Sequence, residues 1–301
     1  MPEAMPSAVA RRAAQEIEGL LAQPLPPGLY LVATPIGNLG DITLRALAAL
    51  ARADVLYCED TRHSGTLLAH FSMARGLRPY HEHNARRERP RILAQLTQGK
   101  AVALISDAGT PLVSDPGYKL VRDALAAGHP VISLPGPSAL LAALTTAGLA
   151  TDTFLFAGFL PARQAARRAR LAELRTVPAT LVFFEAPPRL ADCLGDIEAV
   201  LSQRQAAVAR ELTKLHEEVR RGTPAELARW AAGTPPRGEI VVLVGPPAAA
   251  AVTDEAIAAK LTPMLTEMSL SDAARAAADE LGVAKARAYD IGIALKRSGG
   301  G

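Results

Sequence analysis

From Gly28 onward the chain repeats one unit: a short run rich in Val and Leu, followed by a longer stretch with apolar residues at every third or fourth position. Short apolar runs bounded by turn residues read as buried strands, and the longer period reads as amphipathic helix. Their alternation predicts a sheet covered by helices. In the first half the strand candidates are LYLVAT (29–34), ADVLYCE (53–59), AVALISD (101–107) and PVISLPG (130–136). The stretches TLRALAALARA, TRHSGTLLAHF, PRILAQLTQG and YKLVRDALAAG carry the helical spacing between them.

Around residues 148–153 the rhythm changes. A second set of strands is expected at FLFAGFL, ATLVFFEA, QAAVAREL and GEIVVLVG, with HEEVRRG as a hairpin partner. After PPAAAA (246–251), the stretch DAARAAADELGVAKARAYDIGIALKR reads as a helix, a turn at Gly282 and a second helix. The expected fold class is therefore α/β. It comprises a flexible extension over 1–26, α/β domains over 27–148 and 149–248, and a helical unit over 252–301. With 301 residues, 49% of them hydrophobic, the chain can bury a sizeable core.

Composition narrows the function. Aromatics are only 4% of residues, so open stacking platforms for nucleic acid are scarce. Arg outnumbers Lys 27 to 6, and guanidinium forks suit phosphate oxygens. A GC-rich coding sequence gives the same bias, so clustering has to decide. Cys58 and Cys193 stand far apart without a CxxC or zinc spacing, which predicts neither a disulfide framework nor a metal site. The first 25 residues lack an apolar core of signal-peptide type, and no later run is long enough to span a membrane, so a cytoplasmic protein is expected.

Three loops leave strand ends through small residues. ATPIGNLGDITLRAL (33–47) passes Pro35, Gly37 and Gly40 into a helix capped by Asp41 or Thr43. DAGTPLVSDPG (107–117) holds two Asp, two Pro and two Gly beyond a buried strand. LPGPSALLAAL (134–144) opens a helix at Ser138. Open α/β sheets bind ligands beyond the carboxyl ends of their strands, so the three loops are candidates to line one crevice. EDTRH (59–63) packs acids, a hydroxyl, a guanidinium and an imidazole at another strand end, and YHEHN (80–84) puts His81 and His83 on one side if extended. The plainer reading of EDTRH is a helix cap with a surface ion pair. Basic residues cluster in ARRERPR (85–91), with Arg86 and Arg87, and in PARQAARRARLAELR (161–175), where Arg163, Arg167 and Arg170 share a helical face. Such faces suit an RNA backbone or simply solvent.

These segments, in this order, resemble the cofactor loops of the tetrapyrrole methylase superfamily. With FAGFLP, FFEAPPRL, VARELTKLHEE and RGEIVVLVG they are similar to a branch that methylates a cytidine 2′-oxygen in the decoding centre of small-subunit (16S) ribosomal RNA. The resemblance runs from about Gly28 to the C-terminus. It implies two α/β domains around a cofactor cleft, S-adenosylmethionine as methyl donor with S-adenosylhomocysteine as product, 16S rRNA in the small subunit as partner, and a homodimer. The cofactor would be lined by Ile36, Gly37, Asp107, Gly109, Thr110, Val113, Ser138, Ala139, Phe184, Leu212 and Gly238. The family's Gly-Asp-Pro signature is Gly109-Thr110-Pro111 here, so Asp107 or Asp115 takes over its carboxylate. A ribose hydroxyl must lose a proton during transfer, with Glu59, Asp60 and His81 as candidate bases, Arg62 for a phosphate and Asn84 for the sugar. The C-terminal helices, resembling a helix-turn-helix appendage, would add Lys285 and Arg287 to the RNA contacts. Methylation of a tetrapyrrole or another small molecule, methylation of a modified protein side chain, and cofactor binding without turnover at the ribosome are the competing readings.

Overall fold

The computed structural model describes residues 5–247 and 253–298, and these form two compact units divided at Pro246/Pro247. The N-terminal stretch, expected as a flexible extension, holds α1 (Met5–Ala22), which packs on α2 (Leu44–Arg52).

The first sheet takes β1 (Gly28–Val32), β2 (Val55–Cys58), β3 (Leu77–Pro79), β4 (Ala101–Ile105) and β5 (Val131–Leu134) in the order β3-β2-β4-β1-β5, all parallel. The helices α2, α3 (Thr61–His70), α4 (Ala85–Thr97), α5 (Tyr118–Ala126) and α6 (Ala139–Thr146) supply the connections. Parallel strands are covered on both faces, which is why their runs are continuously apolar. One face buries Tyr30, Val32, Leu50, Leu56 and Ile105, and the other buries Leu29, Tyr57, Ile92, Val102 and Leu120. Each such side chain contributes roughly 1.5–3 kcal/mol. Thr43 rather than Asp41 caps α2, its hydroxyl accepting from the Ala46 amide at 3.1 Å.

The second sheet takes β6 (Phe154–Phe159), β7 (Thr180–Glu185), β8 (Ala206–Arg210), β9 (Glu218–Gly222) and β10 (Ile240–Val244) in the order β6-β7-β10-β8-β9. Only β6 and β7 run parallel, and the other neighbours are antiparallel. β9 is the hairpin partner that HEEVRRG suggests. On one face α7 (Gln164–Glu173), α8 (Leu190–Leu201) and α9 (Pro224–Gly233) cover Leu181, Phe183, Val208 and Val242. On the other face Ala143 and Leu144 of α6, with Ala147 at its C-terminal cap, meet Val182, Ala207, Val241 and Leu243. The last helix of the first sheet thus roofs the second, and the two halves share a core.

In the second unit α10 (Asp254–Glu267), α11 (Leu270–Leu281) and α12 (Lys285–Ser298) enclose Ile257, Leu261, Ala273, Ala277 and Ala288. α11 ends at Gly282 in the left-handed region (φ 65°), the turn expected there. No described helix is long and apolar enough to cross a membrane.

Candidate active site

Three loops at the carboxyl ends of β1, β4 and β5 are tied to one another. The Thr34 and Gly109 backbones exchange two hydrogen bonds of 2.9 Å, and the Thr110 hydroxyl donates to the Pro137 carbonyl at 3.3 Å. Gly109 sits at φ 78°, where a Cβ would stand 3.4 Å from Ile36 Cγ2. Leu112 and Ser114 in the same loop also hold left-handed backbone (φ 74° and 66°). Non-glycine residues adopt that region only where the surroundings enforce it, and such positions gather at ligand sites.

Opposite these loops lie the ends of β6, β7 and β8 and the start of β10. Between them is a cavity of about 350 Å³. Ile36, Gly109, Thr110, Val113, Ser138 and Ala139 line it from the first half, and Phe184, Leu212 and Gly238 from the second. Ser138 also caps α6, its oxygen accepting from the Leu141 amide. The wall is mainly apolar, with Phe159 edge-on to Phe184 (ring centroids 5.7 Å apart) and Phe156 packed edge-on to Phe184 at 4.9 Å. Sequence reasoning missed Ala108, Phe159, Glu185 to Pro187 and Glu239 to Val241 on this wall. The Glu-Ala-Pro-Pro turn after β7 was the available signal.

Two residues expected at the cavity stand elsewhere. Gly37 (φ 143°) packs under the Lys214 side chain, which reaches Glu211 at 2.9 Å and Glu239 at 3.1 Å. It is a point where the two halves meet rather than a lining residue. Asp107 turns away to accept from the Asp60 amide at 2.9 Å and borders a separate hollow with His63 and Ser64. Asp115 faces a narrow cleft beside Glu59, Tyr80 and Ser106. Neither aspartate is among the residues that line the cavity.

The EDTRH carboxylates divide by environment. Burial first, then the charges of Asp107 and Asp60, push the Glu59 carboxyl above its ordinary range, with His81 offsetting part of the rise. Burial, then Glu59, pushes Asp115 up to about 6. Asp60 behaves oppositely. Hydrogen bonds from the Arg62 side chain and amide hold it well below the usual carboxylate range. It caps α3 and pairs with Arg62, so the plainer reading holds and Asp60 is a poor proton acceptor near neutrality. Arg62 stays on the surface with its side chain 90% exposed.

YHEHN is a turn rather than an extended run, although the His81 and His83 rings still approach to 5.9 Å. Asn84 is buried and both ends of its amide are engaged. Its oxygen accepts from the His81 amide and its nitrogen donates to the Pro79 carbonyl, each at 2.9 Å. It fastens the turn carrying His81.

The basic helix α7 also departs from expectation. Arg167 is 4% exposed, its Nε 2.6 Å from Asp196 and its Nη1 donating to the Ala162 carbonyl. The face shared by Arg163, Arg167 and Arg170 therefore turns toward α8 at its middle, and Arg167 cannot reach RNA. Arg163 and Arg170 are exposed, the latter paired with Glu173. Arg86 is exposed on α4, and Arg87 leans on Glu88 at 3.0 Å. In the second unit Arg287 pairs with Asp254 at 2.7 Å, and Lys285 lies 3.5 Å from the Ser271 hydroxyl.

Two α/β layers pressing tied, glycine-bent loops and strand ends onto one apolar cavity define a methylase of the two-domain kind. The profile of the Tetrapyrrole (Corrin/Porphyrin) Methylases matches residues 28–228, and the chain belongs to that family. Its relatives include the protein named Ribosomal RNA small subunit methyltransferase I of Mesorhizobium japonicum, 54% identical over 281 residues, 93% of this chain and 96% of that protein. The protein of the same name from Pseudomonas aeruginosa is 47% identical, covering 90% of this chain and 98% of its own length. Among solved structures, uroporphyrin-III C-methyltransferase of Thermus thermophilus complexed with S-adenosyl homocysteine superposes with a TM-score of 0.51 at 22% identity, covering 72% of this chain and 97% of that one. Cobalt precorrin-4 methyltransferase gives 0.55 at 18%, with 72% and 94% covered. At such identities these two establish the fold alone.

Proposed function

We propose that this chain is an S-adenosylmethionine-dependent methyltransferase acting in the cytoplasm on the 2′-oxygen of a decoding-centre cytidine in 16S ribosomal RNA. The observation that carries this reading is 54% identity to a small-subunit methyltransferase over nearly the full length of both chains. The cavity suits the cofactor. Its size lies in the small-molecule range, its wall is mostly apolar, and its polar groups are few: Thr110, Ser138, Glu185 and Glu239. Gly109 brings bare backbone to its edge, where a side chain would close on Ile36.

When bound, the cofactor supplies an electrophilic methyl group on a sulfonium. What the chain adds is alignment and a proton acceptor. Holding oxygen, carbon and sulfur in line supplies on the order of 7 kcal/mol or more. Glu59 is the favoured base, supported by its raised carboxyl at the end of β2 and by Asp115 across the same cleft. His81, whose backbone amide is held by Asn84, lies close enough to Glu59 to offset part of that rise. Arg62, Arg86, Arg163, Arg170 and Lys285 remain the candidate phosphate contacts.

A homodimer is part of this reading, since Leu125 on α5 and Leu141 on α6 stand more than half exposed. Light scattering at micromolar concentration should give twice the chain mass, and a monomer contradicts it. The activity is tested by transfer of tritiated methyl from the cofactor to bare small subunits, naked 16S RNA and a tetrapyrrole. Label on a ribose 2′-oxygen, read as loss of alkaline cleavage at one nucleotide, supports the proposal. Label on the tetrapyrrole, or on none of the three, overturns it.

A further inference from the structure

A further hollow, of about 270 Å³, opens between the first turns of α4 and α5 beside the end of the 107–117 loop. Glu82, Arg86, Arg89, Asp115, Tyr118 and Lys119 face it. Its cations are not alike. Arg89 is neutralised by Asp123 at 2.8 Å, as Arg122 is at 2.9 Å, and Arg87 and Arg91 both close on Glu88. Arg86 and Lys119 have no ion-pair partner among the described residues, and both border the hollow. An unpaired guanidinium and ammonium converging on one concavity favour a phosphate group there.

Tyr118 adds a second kind of recognition. In a chain with 4% aromatics, Tyr57 and Tyr80 nearby are fully buried, whereas Tyr118 is 69% exposed at the opening of α5. A tyrosine so placed gives little to the core and offers a ring face to a ligand. Glu82 and Asp115 supply acceptors, which a phosphate alone would not want but a sugar hydroxyl or an exocyclic amine would. Asp115, Tyr80 and Pro116 border both this hollow and the cleft of Glu59, so the two are contiguous.

Resting on the RNA methyltransferase reading, we propose that this hollow is a nucleotide subsite for the RNA substrate. Tyr118 stacks on one splayed base, Arg86 and Lys119 hold its phosphate, and Glu82 and Asp115 accept from its sugar or base edge. Single-stranded RNA is read in this way, by aromatic stacking combined with backbone charge. The subsite lies beside the proposed base and apart from the cofactor cavity.

The test compares the native enzyme with Arg86→Ala/Lys119→Ala, Tyr118→Leu and Tyr118→Phe in two assays. One is methyl transfer to small subunits, resolved into kcat and KM. The other is anisotropy of a single-stranded RNA dodecamer over a salt series. The double variant should raise KM about 10-fold or more with kcat within about twofold, and lower the salt slope by roughly 1.4 for two lost phosphate contacts. Tyr118→Leu should weaken dodecamer binding about 10-fold or more, while Tyr118→Phe, which keeps the ring, stays near native. Unchanged KM and dodecamer affinity in both the double variant and Tyr118→Leu overturn the proposal, as does an equal loss in Tyr118→Phe and Tyr118→Leu for the stacking role. If the native enzyme leaves subunits unmethylated while dodecamer binding still falls in the variants, the subsite stands and the wider functional reading fails.

Discussion

Gly109 occupies backbone that only glycine adopts without strain, and a branched side chain there would press on Ile36 and approach the Pro137 carbonyl, 3.7 Å from the Cβ position. Gly109→Val should therefore fold with a lower melting temperature and bind S-adenosylmethionine about 10-fold or more weakly by isothermal titration; native affinity in the folded variant would remove this loop from the cofactor site. The two acids of EDTRH should separate in the same manner. Glu59→Gln should lower single-turnover methylation by roughly 10²-fold without lowering the melting temperature, while Asp60→Ala should lower the melting temperature and leave the rate nearly intact. The sequence could not rank these neighbours, because Glu59 is raised by its burial and by Asp107 of a distant loop, which only the fold brings together, whereas Asp60 is held down by Arg62 beside it. Asp115 makes a third case. Its folded carboxyl titrates at about 6 against an ordinary 3.8, so the folded state holds that proton more tightly than the unfolded chain. The resulting stabilisation is complete below about pH 4 and is lost as pH rises through about 6. Asp115→Asn should therefore melt higher than the native protein at pH 8 and no higher at pH 4. A gain of equal size at both pH values would mean that the ionised carboxylate is not the burden.

Helix α7 shows how a helical face read from spacing can point the wrong way. Arg163, Arg167 and Arg170 do share a face by the helical period, but Asp196 of α8 lies under its middle and takes both Arg167 and Arg168 at 2.6 Å. Removing one partner of a buried ion pair leaves the other stranded, at a cost of about 3–5 kcal/mol. The exposed Arg168 still holds Asp196, so Arg167→Ala should fall near the lower end, about 3 kcal/mol by urea unfolding, with RNA affinity of the folded variant unchanged. A loss of RNA affinity without loss of stability would return this residue to the surface. The strands were legible because Val and Leu runs bounded by Gly and Pro admit few other structures, and nine of the ten coincide with runs named from the sequence. β3 was not legible. Its three residues, Leu77 to Pro79, are too few for an alternation, and its pairing with β2 depends on the parallel register rather than on local pattern. Pro90 hid the start of α4 in a similar way: the spacing predicts a helix beginning there, whereas the helix begins at Ala85 and carries Pro90 inside it. The run ARRER thus belongs to the first turns of a helix, which is what sets Arg86 facing one hollow while Arg87 and Arg91 share Glu88.

At the scale of the whole molecule, the cavity and its supports are confined to one of the two compact units. Every residue lining the cavity lies between Ile36 and Val241, and the shared core that roofs it runs from Ile36 to Leu243. The helices beyond Pro246 enclose a separate core of their own, built on Ile257, Leu261 and four alanines of α11. Cofactor binding and that second core should therefore be separable. A chain ending at Pro246 should bind S-adenosylmethionine within about twofold of the full-length affinity, since no group that lines the cavity is removed. RNA binding should respond differently. Lys285 and Arg297 are exposed cationic positions on α12, whereas Arg287 is drawn to Asp254 and loses part of its charge to that pair. If the exposed cations follow the RNA backbone, the truncated chain should bind small subunits more weakly and with a shallower dependence on salt, because fewer counterions are released. Since phosphate contacts position a substrate without taking part in chemistry, single-turnover methylation at saturating subunit concentration should stay within about threefold of native. Isothermal titration for the cofactor and filter binding across a salt series measure the two halves of this expectation independently. A tenfold loss of cofactor affinity in a folded, truncated chain would show that the cavity depends on the second unit, and an unchanged salt slope would remove α12 from the RNA path.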